Sequence, residues 1–169
     1  HRIEHVQLLH PDDLPRLAAL GVIASMQPIH ATSDRDVAER YWGARSRTAY
    51  AWRSLLRAGT ALAFGSDAPV ETPHVFQGLY AAVTRKRSDE PDAPGWYPGE
   101  ALELDQAVRA YTTGAAYASG WDAVQGRLVE GAFADFIVVD RDLWAVAPEG
   151  LLQAKVVLTV VGGEVVYAG

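Results

Sequence analysis

Apolar and polar segments alternate along residues 1–84 in a way that predicts strands separated by helices. Short apolar runs of about five residues are typical of buried strands. Leucines spaced three apart, with Asp12 or Asp13 before them and Gly21 after them, predict a helix with recognisable ends. This alternation favours a parallel sheet with right-handed crossovers. The predicted strands are residues 2–8, 22–26 and 60–64, and the predicted helices carry Leu14, Leu17 and Leu20, then Tyr50, Leu55 and Leu56, and then residues 76–83.

The second half of the chain changes in character twice. Residues 88–100 are rich in Asp, Glu, Pro and Gly, which predicts a long surface loop. Helical periodicity returns at residues 104–118, and from residue 124 onward the pattern is β-prone. We therefore predict an α/β body over residues 1–120 and a small β-sandwich module over residues 121–169. The predicted strands of the module are residues 126–128, 134–140, 156–161 and 165–167, the last two joined by a hairpin turn at Gly162 and Gly163.

Charge and composition exclude several classes of protein. The chain has 15 Lys and Arg against 21 Asp and Glu, a net charge of −6, so a nucleic acid or an anionic membrane is not an expected partner. The chain has no cysteine, which excludes a disulfide framework, a Cys-ligated zinc site and a thiol nucleophile. No apolar run approaches the roughly 18 residues of a membrane span. With no visible signal sequence, the expected location is cytoplasmic.

We expect the chain to be part of a larger protein. It begins with His1 rather than Met. Three strand–helix units are fewer than a closed eight-stranded barrel of about 250 residues requires, and an open remnant would leave sheet edges and apolar faces exposed. We therefore expect upstream sequence to complete the body.

Three polar residues follow the three predicted strands: His5, His30 and Asp67. Parallel-strand proteins place their sites at the carboxyl ends of strands, so these side chains are predicted to share one face. Imidazole and carboxylate groups suit zinc, manganese or iron. An aspartate there can also accept a proton from water that a metal has acidified.

Each residue also has an ordinary structural interpretation. A lone histidine such as His5 is more often a structural or surface residue, and His30 alone is typical of a surface loop. Asp67, in the run Gly-Ser-Asp-Ala-Pro, is as typical of a turn or helix cap as of a functional site. His1, His10 and His74 receive only the structural interpretation, although His74 could approach the same face.

Several segments resemble the metal-dependent amidohydrolase superfamily, and within it the amidohydrolase family 3 branch that includes N-substituted formamide deformylases. Residues 2–7 (RIEHVQ), 27–30 (QPIH) and 64–70 (FGSDAPV) are similar to its last three barrel strands. Its carboxyl-terminal segment is similar to residues 110–116 (AYTTGAA), 126–131 (GRLVEG), 134–140 (ADFIVVD) and 159–166 (TVVGGEVV).

The resemblance implies strands six to eight of a (β/α)8 TIM-like barrel, a composite β-sandwich completed by residues of the amino-terminal part, and one or two divalent metals, usually Zn²⁺. It makes His5 a metal ligand, Asp67 a metal ligand and the catalytic proton shuttle, and His30 a substrate-binding residue. It also implies a homo-oligomer, expected to be a dimer. The family's other ligands, a His-x-His pair, a lysine or glutamate and a further histidine, are not among these residues, so this chain alone is expected to be inactive.

The predicted function is hydrolysis of non-peptide C–N bonds in a small-molecule amide or formamide, with metal-bound hydroxide attacking the carbonyl. One alternative is a non-catalytic binding or scaffold protein that keeps the fold. Another is a metal-dependent hydrolase of esters, lactones or phosphoesters. The aromatic pairs Tyr41-Trp42 and Trp96-Tyr97 could line an apolar pocket, cover the barrel mouth or form a subunit contact.

Overall fold

A three-stranded parallel sheet forms the base of the computed structural model, which describes residues 1–169. Its strands are β1 (Arg2–Glu4), β2 (Ile23–Met26) and β3 (Leu62–Phe64), in that order across the sheet. Glu4 pairs with Ser25 and Met26 pairs with Phe64, so all three strands end at the same edge. The predicted parallel order is confirmed.

Strand β1 is shorter than the predicted run of residues 2–8. His5 and Val6 have φ angles of 68° and 42°, in the left-handed region, which ends the extended conformation directly after Glu4. Leu8 keeps only an isolated bridge with Ala49. The prediction of a strand as far as Leu8 is therefore wrong, and the bend turns the chain at the site edge of the sheet.

Three α-helices, rather than one, connect β2 to β3. They are α2 (Pro28–Ser33), α3 (Arg35–Trp42) and α4 (Trp52–Arg57), with a 3-10 turn (Gly43–Thr48) before α4. The earlier connection, between β1 and β2, consists of a 3-10 turn (Pro11–Asp13) and α1 (Leu14–Ala19). His30 was expected on a loop but lies in α2, because Pro28 at its first position has a backbone already suited to a helix. Tyr50 was expected within a helix but precedes α4, with a φ of 49°.

Part of the helical segment after β3 covers the parallel sheet. The predicted helix over residues 104–118 is present, but a wider π turn interrupts it. A β-carbon built on Gly114, in that turn, would lie 2.1 Å from the carbonyl oxygen of Leu62, so the turn rests directly on β3. The segments are α5 (Val75–Thr84), a 3-10 turn (Pro98–Glu100), α6 (Leu104–Arg109), the π turn (Ala110–Gly114) and α7 (Ala115–Ser119).

A separate antiparallel sheet contains β4 (Phe136–Val139), β5 (Val156–Val161) and β6 (Glu164–Ala168), with a 3-10 turn (Pro148–Gln153) between β4 and β5. Gly162 and Gly163 form the predicted hairpin turn, with φ angles of 59° and 84° that glycine adopts freely. The predicted strand at residues 126–128 is wrong, because Gly126 bends there at φ 84°. These strands supply one sheet, so the two-sheet sandwich and its boundary at residue 121 remain predictions.

All five residues of β6 are exposed to solvent, including Val165, Val166 and Tyr167. The apolar core lies elsewhere, between the parallel sheet and the helices around it, and contains Trp52, Phe64 and Tyr80. None of the helices combines the length and apolar character that a membrane crossing requires.

Candidate functional site

His5, His30 and Asp67 converge at the carboxyl edge of the parallel sheet. His5 follows β1, His30 lies in the first turn of the helix after β2, and Asp67 follows β3. One potential ligand atom from each lies within 4.8 Å of the other two. The structure therefore brings together the three side chains that the sequence places after the three strands.

His5 is held by its backbone and by one neighbouring side chain. Its N–H donates to the carbonyl of Ser25 at 2.7 Å, which ties the bend after β1 to β2. Its ring Nδ1 lies 2.9 Å from Oε1 of Gln27. Its ring also stacks on that of His30, with centroids 5.6 Å apart and planes 29° from parallel. The two imidazoles thus form a layered pair at the sheet edge.

His30 presents a buried nitrogen that no protein group satisfies. The residue is 8% exposed, and its Nε2 has no hydrogen-bond partner in the structure. The nearest opposite charge is the carboxylate of Asp67, with Oδ2 3.7 Å from that Nε2. Buried polar atoms are nearly always satisfied, so an unpartnered imidazole nitrogen aimed at a carboxylate suggests that a further group binds between them.

Asp67 occupies a tight turn with a φ of 58°, a conformation that aspartate tolerates better than most residues. Its carbonyl accepts from the N–H of Val70 at 2.8 Å, and the hydroxyl of Ser66 accepts from the N–H of Ala68 at 3.3 Å. Its side chain is 37% exposed and faces His30. Asp67 is thus a turn residue, as its structural interpretation predicts, and its carboxylate also faces His30.

The donor set fits a divalent transition metal. Zinc takes imidazole nitrogen and carboxylate oxygen at about 2.0–2.1 Å, which separates neighbouring ligand atoms by about 3.4 Å in a tetrahedron. The 3.7 Å between His30 Nε2 and Asp67 Oδ2 is close to that separation. All three candidate ligand atoms lie within 4.8 Å of one another, which is close enough for one ion to reach them after at most small side-chain movements.

A second polar cluster, made of Gln7, Asp34 and Tyr50, was not found from the sequence. The hydroxyl of Tyr50 donates to Oδ2 of Asp34, and Nε2 of Gln7 donates to both residues at 3.2 Å. Burial first, and then the Asp34 carboxylate, raise the pKa of Tyr50 well above its usual range, so it remains a hydrogen-bond donor. The cluster fastens the chain after His5 to the start of α3.

Gln27 was also missed as a functional candidate, since the sequence draws attention only to the proline after it. The remaining histidines stay outside the site: His1 and His10 are exposed, and His74 precedes α5. A separate groove of about 700 Å³ runs from His74 and Phe76 to Val156 and Tyr167 and contains none of the three converging residues. His74 therefore keeps its structural interpretation.

The aromatic residues outside the site anchor the long surface loop. Trp96 is 7% exposed and donates its indole N–H to Glu39 at 2.7 Å, while the hydroxyl of Tyr97 donates to the same carboxylate oxygen at 2.8 Å. Tyr41 points to solvent at 66% exposure. Only Trp42 lies near the site, beside a shallow depression that includes His5. These contacts favour a structural role for Trp96 and Tyr97, in holding the loop against the body, over a role in lining a pocket.

The fold is similar to part of the fold of a solved metal-dependent hydrolase. A crystal structure of a metal-dependent hydrolase from Pyrococcus horikoshii superposes on 88% of this chain, and on 30% of its own, with a TM-score of 0.76 and 31% sequence identity. Residues 1–167 match the model of the amidohydrolase family. The chain therefore belongs to the amidohydrolase family.

Two curated relatives agree with this assignment. YtcJ of Bacillus subtilis is 34% identical over 167 residues, which are 98% of this chain and 32% of that protein. The N-substituted formamide deformylase of Arthrobacter pascens is 30% identical over 168 residues, which are 98% of this chain and 30% of that protein. The chain thus spans about a third of the length of the curated relatives that it matches.

Proposed function

We propose that the natural full-length protein is a metal-dependent hydrolase of non-peptide C–N bonds, acting on a small-molecule amide or formamide. The observation that carries this proposal is the buried, unpartnered Nε2 of His30 facing the Asp67 carboxylate at 3.7 Å, with His5 stacked beside it. The formamide deformylase of Arthrobacter pascens, a relative over 98% of this chain, supports the choice of bond. The cytoplasmic location and the homo-oligomeric state remain predictions.

His5 and Asp67 would hold a divalent cation, with Zn²⁺ the ion best suited to their nitrogen and oxygen donors. When bound, such an ion polarises a carbonyl and lowers the pKa of water toward about 7. The part that this chain performs is proton transfer. Asp67 is exposed enough to accept a proton at the site edge, and its carboxylate can pass that proton to the departing amine.

His30 borders the same space and has two roles open to it. Its Nε2 is close enough to Asp67 to bind the same cation, and in the alternative role it would hydrogen-bond to a substrate carbonyl or amide group beside that carboxylate. Its burial excludes bulk water from one side of the carboxylate. Removal of water strengthens electrostatic interactions within such a site.

The test is the Asp67→Asn variant of the full-length protein, assayed with a panel of amides, formamides, esters, lactones and phosphoesters. We expect wild type to contain zinc and to cleave amides or formamides, and Asp67→Asn to lose about 10²–10⁴-fold in kcat. Asp122→Asn, which changes an exposed aspartate without a hydrogen-bonded partner, is the matched control and should retain full turnover.

Three other results would each overturn a different part of the proposal. Full turnover in Asp67→Asn would remove its catalytic role. Cleavage restricted to esters, lactones or phosphoesters would keep the metal and change the bond. Wild type without bound metal and without hydrolysis would favour a binding or scaffold protein.

A further inference from the structure

Gln27 is a buried amide that faces a predicted metal ligand instead of capping its own helix. It is 6% exposed and occupies the position before α2, yet its side chain makes no hydrogen bond to the helix backbone. Its Oε1 lies 2.9 Å from Nδ1 of His5. We propose that Gln27 is a positioning residue that sets the tautomer and the ring orientation of His5 for metal binding. This inference rests on the metal site proposed above.

The direction of the hydrogen bond determines which nitrogen of His5 can bind a metal. A neutral imidazole has one N–H donor and one lone pair, and an amide oxygen can only accept. With Oε1 as its partner, Nδ1 must carry the hydrogen, which leaves the lone pair on Nε2. Histidines that bind metals commonly donate their other ring N–H to such an acceptor, which raises their basicity and holds the ring in place.

The sheet register explains why Gln27 reaches His5. Glu4 of β1 pairs with Ser25 of β2, so the residues just beyond the two strands become neighbours across the sheet edge. The bend at His5 then turns its ring toward the end of β2. An extended backbone at Gln27, with φ −124° and ψ 108°, carries its side chain to the same edge.

Gln27 also fixes His30, through its backbone. Its carbonyl accepts from the N–H of His30 at 3.1 Å, while its side chain contacts His5. A single residue thus joins the two stacked imidazoles, one by a main-chain bond and one by a side-chain bond. Replacement of the side chain should release His5 alone, because the bond to His30 does not involve it.

The experiment measures zinc affinity of the full-length protein by competition with a chromogenic chelator. Gln27→Leu removes the acceptor at similar size, and we expect zinc to bind about 10–100-fold more weakly. Gln27→Glu keeps an oxygen acceptor and should stay within a few-fold of wild type. Gln125→Leu, which removes an amide bonded to Asp135 in the carboxyl-terminal part of the chain, is the matched control and should bind zinc as wild type does.

Imidazole ¹⁵N spectra of the metal-free, ¹⁵N-histidine-labelled protein give a second measurement that needs only wild type. The His5 signal, assigned by its loss in His5→Gln, should report a hydrogen on Nδ1. A wild-type His5 with its hydrogen on Nε2 would overturn the proposal, even if Gln27→Leu fails to fold. The melting temperature of each metal-free variant shows whether the substitution has damaged the fold itself.

The remaining outcomes separate this inference from the proposed function. Unchanged zinc affinity in Gln27→Leu, or an equal loss in Gln27→Glu and Gln27→Leu, would reject Gln27 as a positioning residue while leaving the metal site intact. Zinc affinity that does not change in His5→Gln would reject the metal site itself, and the role of Gln27 with it.

Discussion

The guanidinium carbon of Arg85 lies 4.3 Å from the ring centre of Trp52, deep in the core. The ring of Trp96 lies 5.2 Å from the same carbon, so the cation contacts two indoles. Its Nε donates to the carbonyl of Trp96 and its Nη1 to that of Tyr50, each at 2.8 Å. Burial lowers the pKa of Arg85 to about 10, so it remains charged at neutral pH. Arg85 thus joins the long surface loop to the bend before α4.

Arg85→Met should destabilise the protein strongly. Methionine fills much of the same volume but leaves the buried carbonyl of Trp96 without a donor, and the carbonyl of Tyr50 with the N–H of Trp52 alone. Each charged hydrogen bond of this kind contributes about 1.5–3 kcal/mol. We expect the free energy of unfolding to fall by roughly 3 kcal/mol, measured by urea denaturation. Arg57→Met, which changes an exposed arginine at the end of α4, should change the free energy of unfolding by less than about 0.5 kcal/mol. Equal effects of the two substitutions would contradict this role for Arg85.

His30→Gln should weaken zinc binding at least about tenfold, because the buried Nε2 would no longer supply a donor beside Asp67. Chelator competition on the full-length protein measures this directly. His74→Gln, at the exposed start of α5, should bind zinc as wild type does. Unchanged zinc affinity with a raised KM in His30→Gln would instead support the substrate-binding role that the sequence predicts.

Glu39→Ala should release the long surface loop without unfolding the body. The carboxylate accepts from both Trp96 and Tyr97, and these two hydrogen bonds hold the pKa of Glu39 below its usual range. Hydrogen–deuterium exchange should therefore become faster in residues 88–100 and stay unchanged in the parallel sheet. Glu130→Ala, which changes an exposed glutamate without a partner, provides the control. Exchange that becomes faster throughout the chain would show that Glu39 stabilises the whole fold instead.

Gly114→Ala should lower the melting temperature although alanine is the better helix former. The added β-carbon would lie 2.1 Å from the Leu62 carbonyl oxygen, and a backbone atom within a sheet cannot move aside easily. Overpacking of this kind costs about 1–3 kcal/mol. Gly99→Ala places a β-carbon in open space and should leave the melting temperature nearly unchanged. An equally small effect at Gly114 would mean that the π turn can shift away from β3.

Asp140 should make stability depend on pH in the acid range. The Arg141 side chain first, and then the backbone N–H of Lys155, lower the pKa of Asp140 to about 2. A lowered pKa stabilises the fold above the unfolded-state value near 4, and the contribution disappears as pH falls from about 4 toward 2. The stability difference between wild type and Asp140→Asn should therefore shrink over that window, measured by urea denaturation at each pH. A constant difference would contradict the assignment.

Much of the fold could be predicted from the sequence because its strongest signals are local. The apolar run at residues 60–64 and the Gly162-Gly163 turn determine a buried strand and a hairpin within a few residues. The convergence of His5, His30 and Asp67 also followed, since parallel strands end at one edge. The helical position of His30 was not predicted, although Pro28 at the first position of α2 was the available signal.

The remaining features of the site depend on residues far apart in sequence. The contact of Gln27 with His5 arises from strand register, and the cluster of Gln7, Asp34 and Tyr50 brings together three separate segments of the chain. The bend at Val6 could not be predicted from local preference, because a β-branched residue rarely adopts a positive φ. Tertiary contacts around the site override that preference.

The solvent-exposed strand β6 should influence the solubility and self-association of the purified chain. Val165, Val166 and Tyr167 face water in a strand whose outer edge has no neighbour, and such edges readily pair with another chain. Purified by itself, the 169-residue polypeptide should self-associate through this strand as its concentration rises. Val166→Lys should keep the polypeptide dispersed at concentrations where the unsubstituted chain precipitates.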